Sequence, residues 1–351
     1  MILEPLKINK VLLPNRIVVA PMCQYSAINN SPSLWHYLHL QKLAMSGAGL
    51  VMFESTAVSL QGRITLKDLV LQNKNKKSFK KILNYLKENS KIPFGLQISH
   101  SGRKGSSEIP WIKSNCPLKK RDAWITVSPS SIKRDHAWPL PRELSIKDIK
   151  KIIIDFKNSS IYADEIGFDC LEIHMAHGYL LHQFFSPISN KRFDEYGGSL
   201  KNRCKFLLEI AKIVRSNWPK NKILGARVTG SDWLESGITI DDTLYLTKKL
   251  KDIGLDYVCV SSGGIIAKTN IKFKKGYQVH LAEIIKKKIN IITRVAGMIN
   301  NYQLAKSLIE NNKVDLVAIG REFIKNPTWL IHKIKKNKKK FFIPNQYLRC
   351  F

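Results

Sequence analysis

Three side chains with acid–base chemistry lie in one short segment, His174-Met175-Ala176-His177-Gly178-Tyr179. Two imidazoles at this spacing can donate hydrogen bonds to one oxygen atom, and the Tyr179 phenol can deliver a proton beside it. The histidines could instead bind a metal, but this loop offers no acidic or third histidine ligand. They could also form a structural pair bonded to backbone, with Tyr179 packed on the loop. We predict an oxygen-binding pair next to a proton donor, and no metal.

Glycines and arginines at other points indicate an anion site. Gly297 follows one apolar run, and Gly320 and Arg321 follow the next. Glycines let backbone amides approach an anion, and the guanidinium adds charge, although ordinary turn glycines give the same pattern. Arg227 lies within an apolar run, where a buried guanidinium needs an anionic or carbonyl partner. Gly297, Gly320 and Arg321 therefore predict a phosphate site, and Arg227 predicts an anionic or carbonyl partner.

Short apolar runs rich in β-branched residues must position these groups. Such runs predict strands that are buried on both faces, and stretches with helical periodicity lie between them. The runs are residues 17–20, 50–54, 94–99, 169–174, 223–228, 257–261, 289–295 and 314–319. Examples of the helical stretches are residues 78–87, 146–166, 200–216, 241–253 and 302–311. Strands that alternate with helices predict a parallel sheet of the α/β class, and eight such units close into a (β/α)8 TIM barrel.

An open, doubly wound sheet is the competing architecture, and its dinucleotide fingerprint is absent from the sequence. Gly47-Ala48-Gly49 precedes a strand instead of opening a helix, and no third glycine follows. In a barrel, by contrast, catalytic groups follow the carboxyl ends of the strands. The reactive residues named above stand at such ends, as do Cys23 and Tyr25 after the first predicted strand.

The predicted barrel has three additions. Residues 1–332 form a single barrel domain, in which residues 6–13 make a hairpin at the barrel bottom. Residues 102–143 are too irregular for one helix and predict an insertion that covers the active face. Residues 333–351 form a basic C-terminal tail.

The formal charge of +31 raises the possibility of a nucleic-acid partner. The excess is mostly lysine, and a genome rich in AT codons explains lysine together with abundant asparagine and isoleucine. Attraction of phosphates is the alternative. The lysines cluster in predicted helices and in the run 333–340, without interleaved aromatic residues, so we expect no nucleic-acid partner.

The remaining composition predicts a cytoplasmic protein without a membrane partner. No apolar run reaches the roughly 20 residues of a membrane helix, and the first residues do not form a signal peptide. The six cysteines are scattered and contain no Cys-x-x-Cys pair, which predicts free thiols instead of a zinc or iron–sulfur site.

Several motifs together resemble the Old Yellow Enzyme family of FMN-dependent ene-reductases, over nearly the whole chain. They are residues 14–18, 21–26, 61–63, 97–104, 172–180 and 186–199. The last two are long and specific, reading Glu-Ile-His-Met-Ala-His-Gly-Tyr-Leu and Ser-Pro-Ile-Ser-Asn-Lys-Arg-Phe-Asp-Glu-Tyr-Gly-Gly-Ser. Cys23 after Pro21-Met22 is similar to the thermophilic-like subgroup, since threonine more often stands there elsewhere in the family.

The resemblance implies a role for each matching residue. Residues implied to surround the flavin ring are Pro21, Met22, Cys23, Ala57, Gln97 and Arg227, and those implied to hold the FMN phosphate are Gly297, Gly320 and Arg321. His174 and His177 would bind the activating oxygen of the substrate, Tyr25 would add a hydrogen bond, and Tyr179 would donate the proton. Cys23 would tune the flavin, sense redox state or simply pack.

The implied reaction is ping-pong reduction of an enone-like small molecule, with NADPH or NADH as the reductant. Reduction of nitro compounds or quinones is an alternative, because the motifs describe the flavin site and not the outer pocket. A nucleic-acid-binding protein without catalysis is a more distant alternative. The resemblance also implies a homodimer or homotetramer, in which Arg349 reaches the site of a neighbouring subunit.

Overall fold

The computed structural model describes residues 1–119, 121–267, 269, 271–337 and 349–350. Most of the predicted basic tail therefore lies outside the described residues. The strands are β1 (Leu6–Ile8), β2 (Val11–Leu13), β3 (Ile17–Val19), β4 (Leu50–Ala57), β5 (Phe94–Ser99), β6 (Val127–Ser128), β7 (Arg142–Glu143), β8 (Cys170–Met175), β9 (Ile223–Thr229), β10 (Tyr257–Ser261), β11 (Ile292–Val295) and β12 (Leu316–Ile319).

Helices follow most of the long strands. They are α1 (Leu34–Ala44), α2 (Lys76–Glu88), α3 (Pro110–Lys113), α4 (Ile146–Ile166), α5 (Leu180–Phe185), α6 (Leu200–Asn217), α7 (Ile240–Ile253), α8 (Val279–Ile289), α9 (Tyr302–Glu310), α10 (Arg321–Lys325) and α11 (Trp329–Lys336). None of the described helices is long and apolar enough to cross a membrane.

Eight parallel strands close into a barrel in the order β10-β11-β12-β3-β4-β5-β8-β9. This confirms the predicted (β/α)8 TIM barrel. Strands β4, β5, β8 and β12 are buried along their whole length, as their continuous apolar runs predict. Parallel closure brings all eight carboxyl ends to one face, which is where a barrel builds its active site.

Local signals fix several helix ends. Ser145 begins α4 by accepting a hydrogen bond from the Asp148 amide, and the Asp148 side chain accepts one from the Ser145 amide in return. Gly167 and Gly254 end α4 and α7 in the left-handed conformation, with φ of 103° and 96°. Both glycines stand directly before the loop into the next strand, as the sequence predicts.

One predicted strand includes the end of a helix. The apolar run 289–295 was expected to be strand throughout, but Ile289 is the last residue of α8 and β11 begins at Ile292. Asn290 separates the two elements in a left-handed conformation, with φ of 51°. The apolar face of a helix and the following strand thus merge into one run in the sequence.

The segments around the barrel occupy its two ends. Ile8 and Leu13 of the β1–β2 hairpin pack in one cluster with interior residues such as Leu50 and Leu316. Residues 102–143 contain α3 and the short pair β6–β7. The Arg103 guanidinium donates to the carbonyls of Ile132 (3.0 Å) and Ile265 (2.8 Å), which ties this insertion to the loop after β10.

Candidate active site

The histidine pair lies where β8 ends. His174 is 2% exposed, and its Nδ1 accepts a hydrogen bond from the Ala176 amide at 3.2 Å. The ring hydrogen of His174 therefore belongs on Nε2, which lies 3.2 Å from Nδ1 of His177. Nε2 of His177 in turn lies 2.7 Å from the hydroxyl of Ser261 at the end of β10. The structure brings the two imidazoles together as the sequence predicts.

Both imidazoles are neutral donors. Burial, followed by the charge of Arg227, lowers the pKa of His174 and of His177 well below the usual value. A neutral pair can hydrogen-bond a carbonyl oxygen without transferring a full proton to it. His177 has φ of 59°, a left-handed conformation that turns the chain sharply after β8.

Tyr179 lies against this pair, just before α5. Its ring centroid is 4.8 Å from that of His174, and the rings meet edge to face at 77°. Burial raises the pKa of Tyr179 well above its usual value, and the nearby Cys23 and Tyr25 add to the effect. The phenol thus keeps its proton at neutral pH, which suits a general acid.

The loop that carries these three groups is anchored from below by residues that were not predicted. The Gly178 amide donates to Nδ1 of His182 at 2.7 Å, and Nε2 of His182 lies 2.8 Å from the Asp232 carboxylate. Both side chains are fully buried. His182 lies two residues beyond the motif 172–180, and this proximity is the sequence signal from which its role could have been predicted.

Lys104 is another group that sequence analysis missed. Its ammonium donates to the carbonyl of His177 at 2.6 Å and lies 5.0 Å from the centre of the Tyr179 ring. Burial, followed by the charges of Arg134 and Arg103, lowers the pKa of Lys104 to about 7. The residue was quoted within motif 97–104, but nothing in its type or spacing indicated that it would meet Tyr179.

The loop after β3 carries further predicted site residues, of which Cys23 and Tyr25 are near Tyr179. The Gln24 amide donates to the Glu54 carboxylate at 2.6 Å, and the other Glu54 oxygen lies 2.8 Å from Nε2 of His36. This buried link fixes the loop that carries Pro21, Met22, Cys23 and Tyr25. Burial, followed by the charge of Glu54, raises the pKa of Cys23, so its sulfur is a thiol and not a thiolate.

A cavity of about 820 Å³ opens between the ends of β3, β11 and β12. Its wall contains Met22, Gly297, Gly320 and Arg321 of the predicted set. Tyr277, Met298, Asn300 and Lys325 also contribute, and the sequence analysis did not single them out. The volume is in the range of about 300–1,000 Å³ typical of small-molecule sites.

The residues present fit an anionic cofactor such as FMN. Gly297 has φ of 119°, and a Cβ there would lie 2.8 Å from the side-chain nitrogen Nε2 of Gln278, so the chain passes close to its neighbours. Arg321 lines the same cavity with an exposed side chain. Nε of Arg227 is buried and has no hydrogen-bond partner among the described residues, and an unpartnered buried donor of this kind calls for an explanation such as a bound group nearby.

Gln97 is held from inside the barrel. Its side-chain nitrogen donates to the Glu172 carboxylate at 2.8 Å, which leaves its carbonyl oxygen for another donor. Glu172 also receives the Tyr257 hydroxyl at 2.8 Å and forms an ion pair with Arg294. Ala57 is buried at the end of β4, next to β5.

Most of the predicted site residues lie at one end of the barrel. The structure gathers all the predicted ring, phosphate and substrate residues at the carboxyl end of one barrel, apart from Arg349. That residue is exposed and lies beyond the undescribed tail. Its contact with a neighbouring subunit therefore stays a prediction, as does the homodimer or homotetramer.

Comparison with known proteins identifies the family. The NADH:flavin oxidoreductase / NADH oxidase family matches residues 1–340. The chain belongs to this family. An NADPH dehydrogenase of Clostridium acetobutylicum is 38% identical over 356 residues, which cover 100% of this chain and 99% of that protein. An NADPH dehydrogenase of Bacillus subtilis is 36% identical, covering 98% of this chain and 97% of that protein.

Solved structures agree with the fold. A morphinone reductase in complex with tetrahydroNAD has a TM-score of 0.77 at 23% identity, and the match covers 98% of this chain and 92% of that one. A 2-naphthoyl-CoA reductase has a TM-score of 0.82 at 22% identity, covering 96% of this chain and 52% of that one. At these identities, the structures support the barrel alone.

Membership of the family confirms the resemblance to Old Yellow Enzymes and several of its implications. The protein is an oxidoreductase that uses FMN and takes electrons from NADH or NADPH. The assignment to the thermophilic-like subgroup, which depends on Cys23, stays a prediction.

Proposed function

We propose that this flavoprotein reduces the activated carbon–carbon double bond of small α,β-unsaturated carbonyl compounds. The observation that carries the proposal is a neutral histidine pair in direct contact with a half-buried, protonated tyrosine. Such a site offers hydrogen-bond donors for a carbonyl oxygen and a proton for a carbon atom nearby. The NADPH dehydrogenase relatives are consistent with the same overall chemistry.

FMN, when bound, would supply the hydride chemistry that links NAD(P)H oxidation to substrate reduction. Gly297, Gly320 and Arg321 would hold its phosphate. The residues that would surround its ring are Pro21, Met22, Cys23, Ala57, Gln97 and Arg227. The side-chain carbonyl oxygen of Gln97 has no donor among the described residues and would be available to the bound cofactor.

The histidine pair would bind and polarise the substrate carbonyl. Because Nδ1 of His174 is occupied by the Ala176 amide, its Nε2–H must turn from His177 to the substrate oxygen. His177 would exchange its contact with Ser261 in the same way. Each donor strengthens as negative charge develops on that oxygen, and one such donor contributes roughly 10²–10³ in rate.

Tyr179 would protonate the α-carbon. Addition of a hydride to the β-carbon leaves an electron pair shared between the α-carbon and the carbonyl oxygen. The α-carbon takes the phenol proton, so the former double bond has gained two hydrogens. The phenolate is later reprotonated from solvent. A well-placed general acid contributes about 10²–10⁴ in rate. Tyr25 would add a hydrogen bond to the substrate.

The first experiment follows the visible flavin spectrum of the purified protein under anaerobic conditions. NADPH should bleach the yellow colour, and cyclohexenone should restore it. In Tyr179→Phe, bleaching should be unchanged while reoxidation by the enone slows by about 10²-fold or more. Equal reoxidation rates in the two proteins would remove Tyr179 from the proposed role.

The same variant separates the alternative substrates. Reduction of a quinone or nitro compound needs no proton on carbon, so Tyr179→Phe should still reduce a quinone at nearly the normal rate. If wild-type protein reoxidises rapidly with a quinone and not with any enone, the alternative function is correct. His174→Ala should weaken binding of phenols, which mimic the developing oxyanion, and equal phenol affinity would exclude the pair as the oxygen site.

A further inference from the structure

Three cationic side chains lie close to the proton donor. Lys104 lies over the Tyr179 ring, and Arg103 and Arg134 are close enough to lower the pKa of Lys104. Neither Lys104 nor Arg134 forms an ion pair within the part of the chain that the structure describes. We call Lys104 and Arg134 the cationic rim of the site.

Arg103 is already committed to the fold. Its guanidinium donates to the carbonyls of Ile132, Lys133 and Ile265, and its side chain is nearly fully buried. These bonds hold the insertion in place, and the guanidinium is too buried for a ligand to reach it. The charge of Arg103 therefore makes the rim more positive without being available to a ligand.

Arg134, by contrast, is uncommitted. Its guanidinium lies 4.7 Å from the centre of the Trp138 ring, so the insertion itself provides a platform for it. Its Nε is buried and has no hydrogen-bond partner among the described residues. Asp135 is the nearest acid in sequence, but its carboxylate accepts from the Ala137 amide at 2.9 Å instead of pairing with Arg134.

Partly buried cations that repel one another are costly, and an anion between them removes that cost. The half-buried Lys104 ammonium has a donor position to spare beyond its bond to the His177 carbonyl. The two terminal nitrogens of the Arg134 guanidinium have no hydrogen-bond partner among the described residues, and only its Nε is buried. Together Lys104 and Arg134 match the oxygen atoms of a carboxylate or a phosphate.

We propose that the cationic rim binds an anionic oxygen group carried by a molecule that occupies the site beside Tyr179. Two molecules occupy that place in turn during a ping-pong cycle, so the group is either a carboxylate on the unsaturated substrate or a phosphate of the nicotinamide reductant. The inference rests on the proposed function, since it deepens the description of the same site. It gives the insertion a role in choosing ligands.

The test uses the FMN-loaded protein and ligands that bind without reacting. 4-Hydroxybenzoate and 4-hydroxybenzyl alcohol share a phenol and differ in the carboxylate, and their dissociation constants are read from the flavin spectrum. We expect the carboxylate ligand to bind about tenfold more tightly, and Arg134→Met to abolish that difference. Arg134→Lys should keep part of it. Lys133→Met, which removes an exposed neighbouring charge, should leave it unchanged.

A second arm identifies the source of the anion. The dissociation constants of NADPH and NADH are measured from the concentration dependence of flavin reduction in the same variants. If Arg134→Met weakens the carboxylate ligand alone, the rim recognises the substrate. If it weakens the binding of the reductants by about tenfold and leaves both phenols unchanged, the rim recognises the reductant phosphate.

The proposal would be overturned if Arg134→Met changed neither the preference for the carboxylate ligand nor the affinity for the reductants. Lys133→Met should likewise change neither quantity. The proposed function fails in a different way. If neither phenol perturbs the flavin spectrum in wild-type protein, the oxygen site is wrong. If both phenols bind equally well and Arg134→Met also leaves the dissociation constants of NADPH and NADH unchanged, only the role of the rim is wrong.

Discussion

The ion pair between Glu172 and Arg294 allows a quantitative test of how the barrel interior holds the site. Both side chains are 0% exposed, and they join β8 to β11 across the barrel. Glu172 also accepts from the Gln97 amide and the Tyr257 hydroxyl, each at 2.8 Å. The guanidinium lies 4.9 Å from the centre of the Tyr257 ring.

The perturbation is Arg294→Met, which keeps the side chain long and removes its charge. The Glu172 carboxylate would retain two neutral donors but would be a buried charge without a counter-ion. Removing one partner of such a pair destabilises a protein by about 3–5 kcal/mol. The two remaining hydrogen bonds place the expected loss of unfolding free energy toward the lower end, at about 3 kcal/mol.

The double variant Arg294→Met/Glu172→Gln sharpens the prediction. Two nitrogen atoms of Arg294, Nε and Nη1, are buried without hydrogen-bond partners among the described residues, so the native pair does not fully compensate its own burial. Replacing both charges should therefore cost less than replacing one, about 1–2 kcal/mol in total. The amide introduced by Glu172→Gln would keep an oxygen for the Tyr257 hydroxyl.

Urea unfolding of the FMN-free proteins, followed by far-UV circular dichroism, measures these differences. Lys151→Met is the matched control, since it breaks an exposed pair with Asp155 and should cost less than about 0.5 kcal/mol. A double variant as unstable as the sum of the two single variants would refute the reasoning. So would an Arg294→Met protein within about 1 kcal/mol of wild type.

Three further predictions concern the cofactor and the charges around it. FMN at about 100 times its dissociation constant should stabilise the wild-type protein by about 2.7 kcal/mol. Thermal melting should show that Arg321→Met loses part of this stabilisation at the same FMN concentration. An equal stabilisation of the variant would exclude Arg321 from the phosphate site. Affinity for 4-hydroxybenzoate should fall as pH rises through about 7, because the ammonium of Lys104 loses its proton there, and Lys104→Met should flatten this profile. Iodoacetamide should label Cys23 more slowly than the exposed Cys350, since the raised pKa of Cys23 keeps its thiol protonated. Mass spectrometry measures both labelling rates, and faster labelling of Cys23 than of Cys350 would favour a redox-sensing role for Cys23.

The barrel could be predicted because its signal is local and repeated. Each strand is a short apolar run between turn residues, and parallel closure follows from the alternation of strands with helices. The same logic failed where two elements touch in sequence. Ile289 and Ile292 belong to a helix and a strand that are separated by a short turn at the left-handed Asn290, and a hydrophobicity pattern does not register that change of direction.

The candidate site could be predicted as far as its chemistry lies within contiguous motifs. His174, His177 and Tyr179 meet because one loop carries them all. The partners of that loop come from distant segments, and sequence spacing does not report them. Glu172 stood in a quoted motif, but its counter-ion Arg294 is 122 residues away and was not singled out.

The insertion shows the same limit in a form that affects function. Its irregular composition predicted a cover for the active face, and the structure places Trp111 edge to face with Tyr25 at 5.9 Å. The composition did not predict that Arg134 would stand near Tyr179, because an irregular loop has no periodicity from which to read the direction of a side chain. Its position depends on the long-range bonds of Arg103.

The net charge of +31 therefore has two components with different consequences. Lysines such as Lys77, Lys80 and Lys81 are exposed on the outer face of α2, where salt screens them and they attract anions without selectivity. Lys104 and Arg134 are half-buried near Tyr179, where salt screens their charges less and the surrounding contacts fix the direction of their side chains. Binding to DNA would engage the first group and fall steeply with salt, whereas a carboxylate ligand held by the second group should lose much less affinity over the same range.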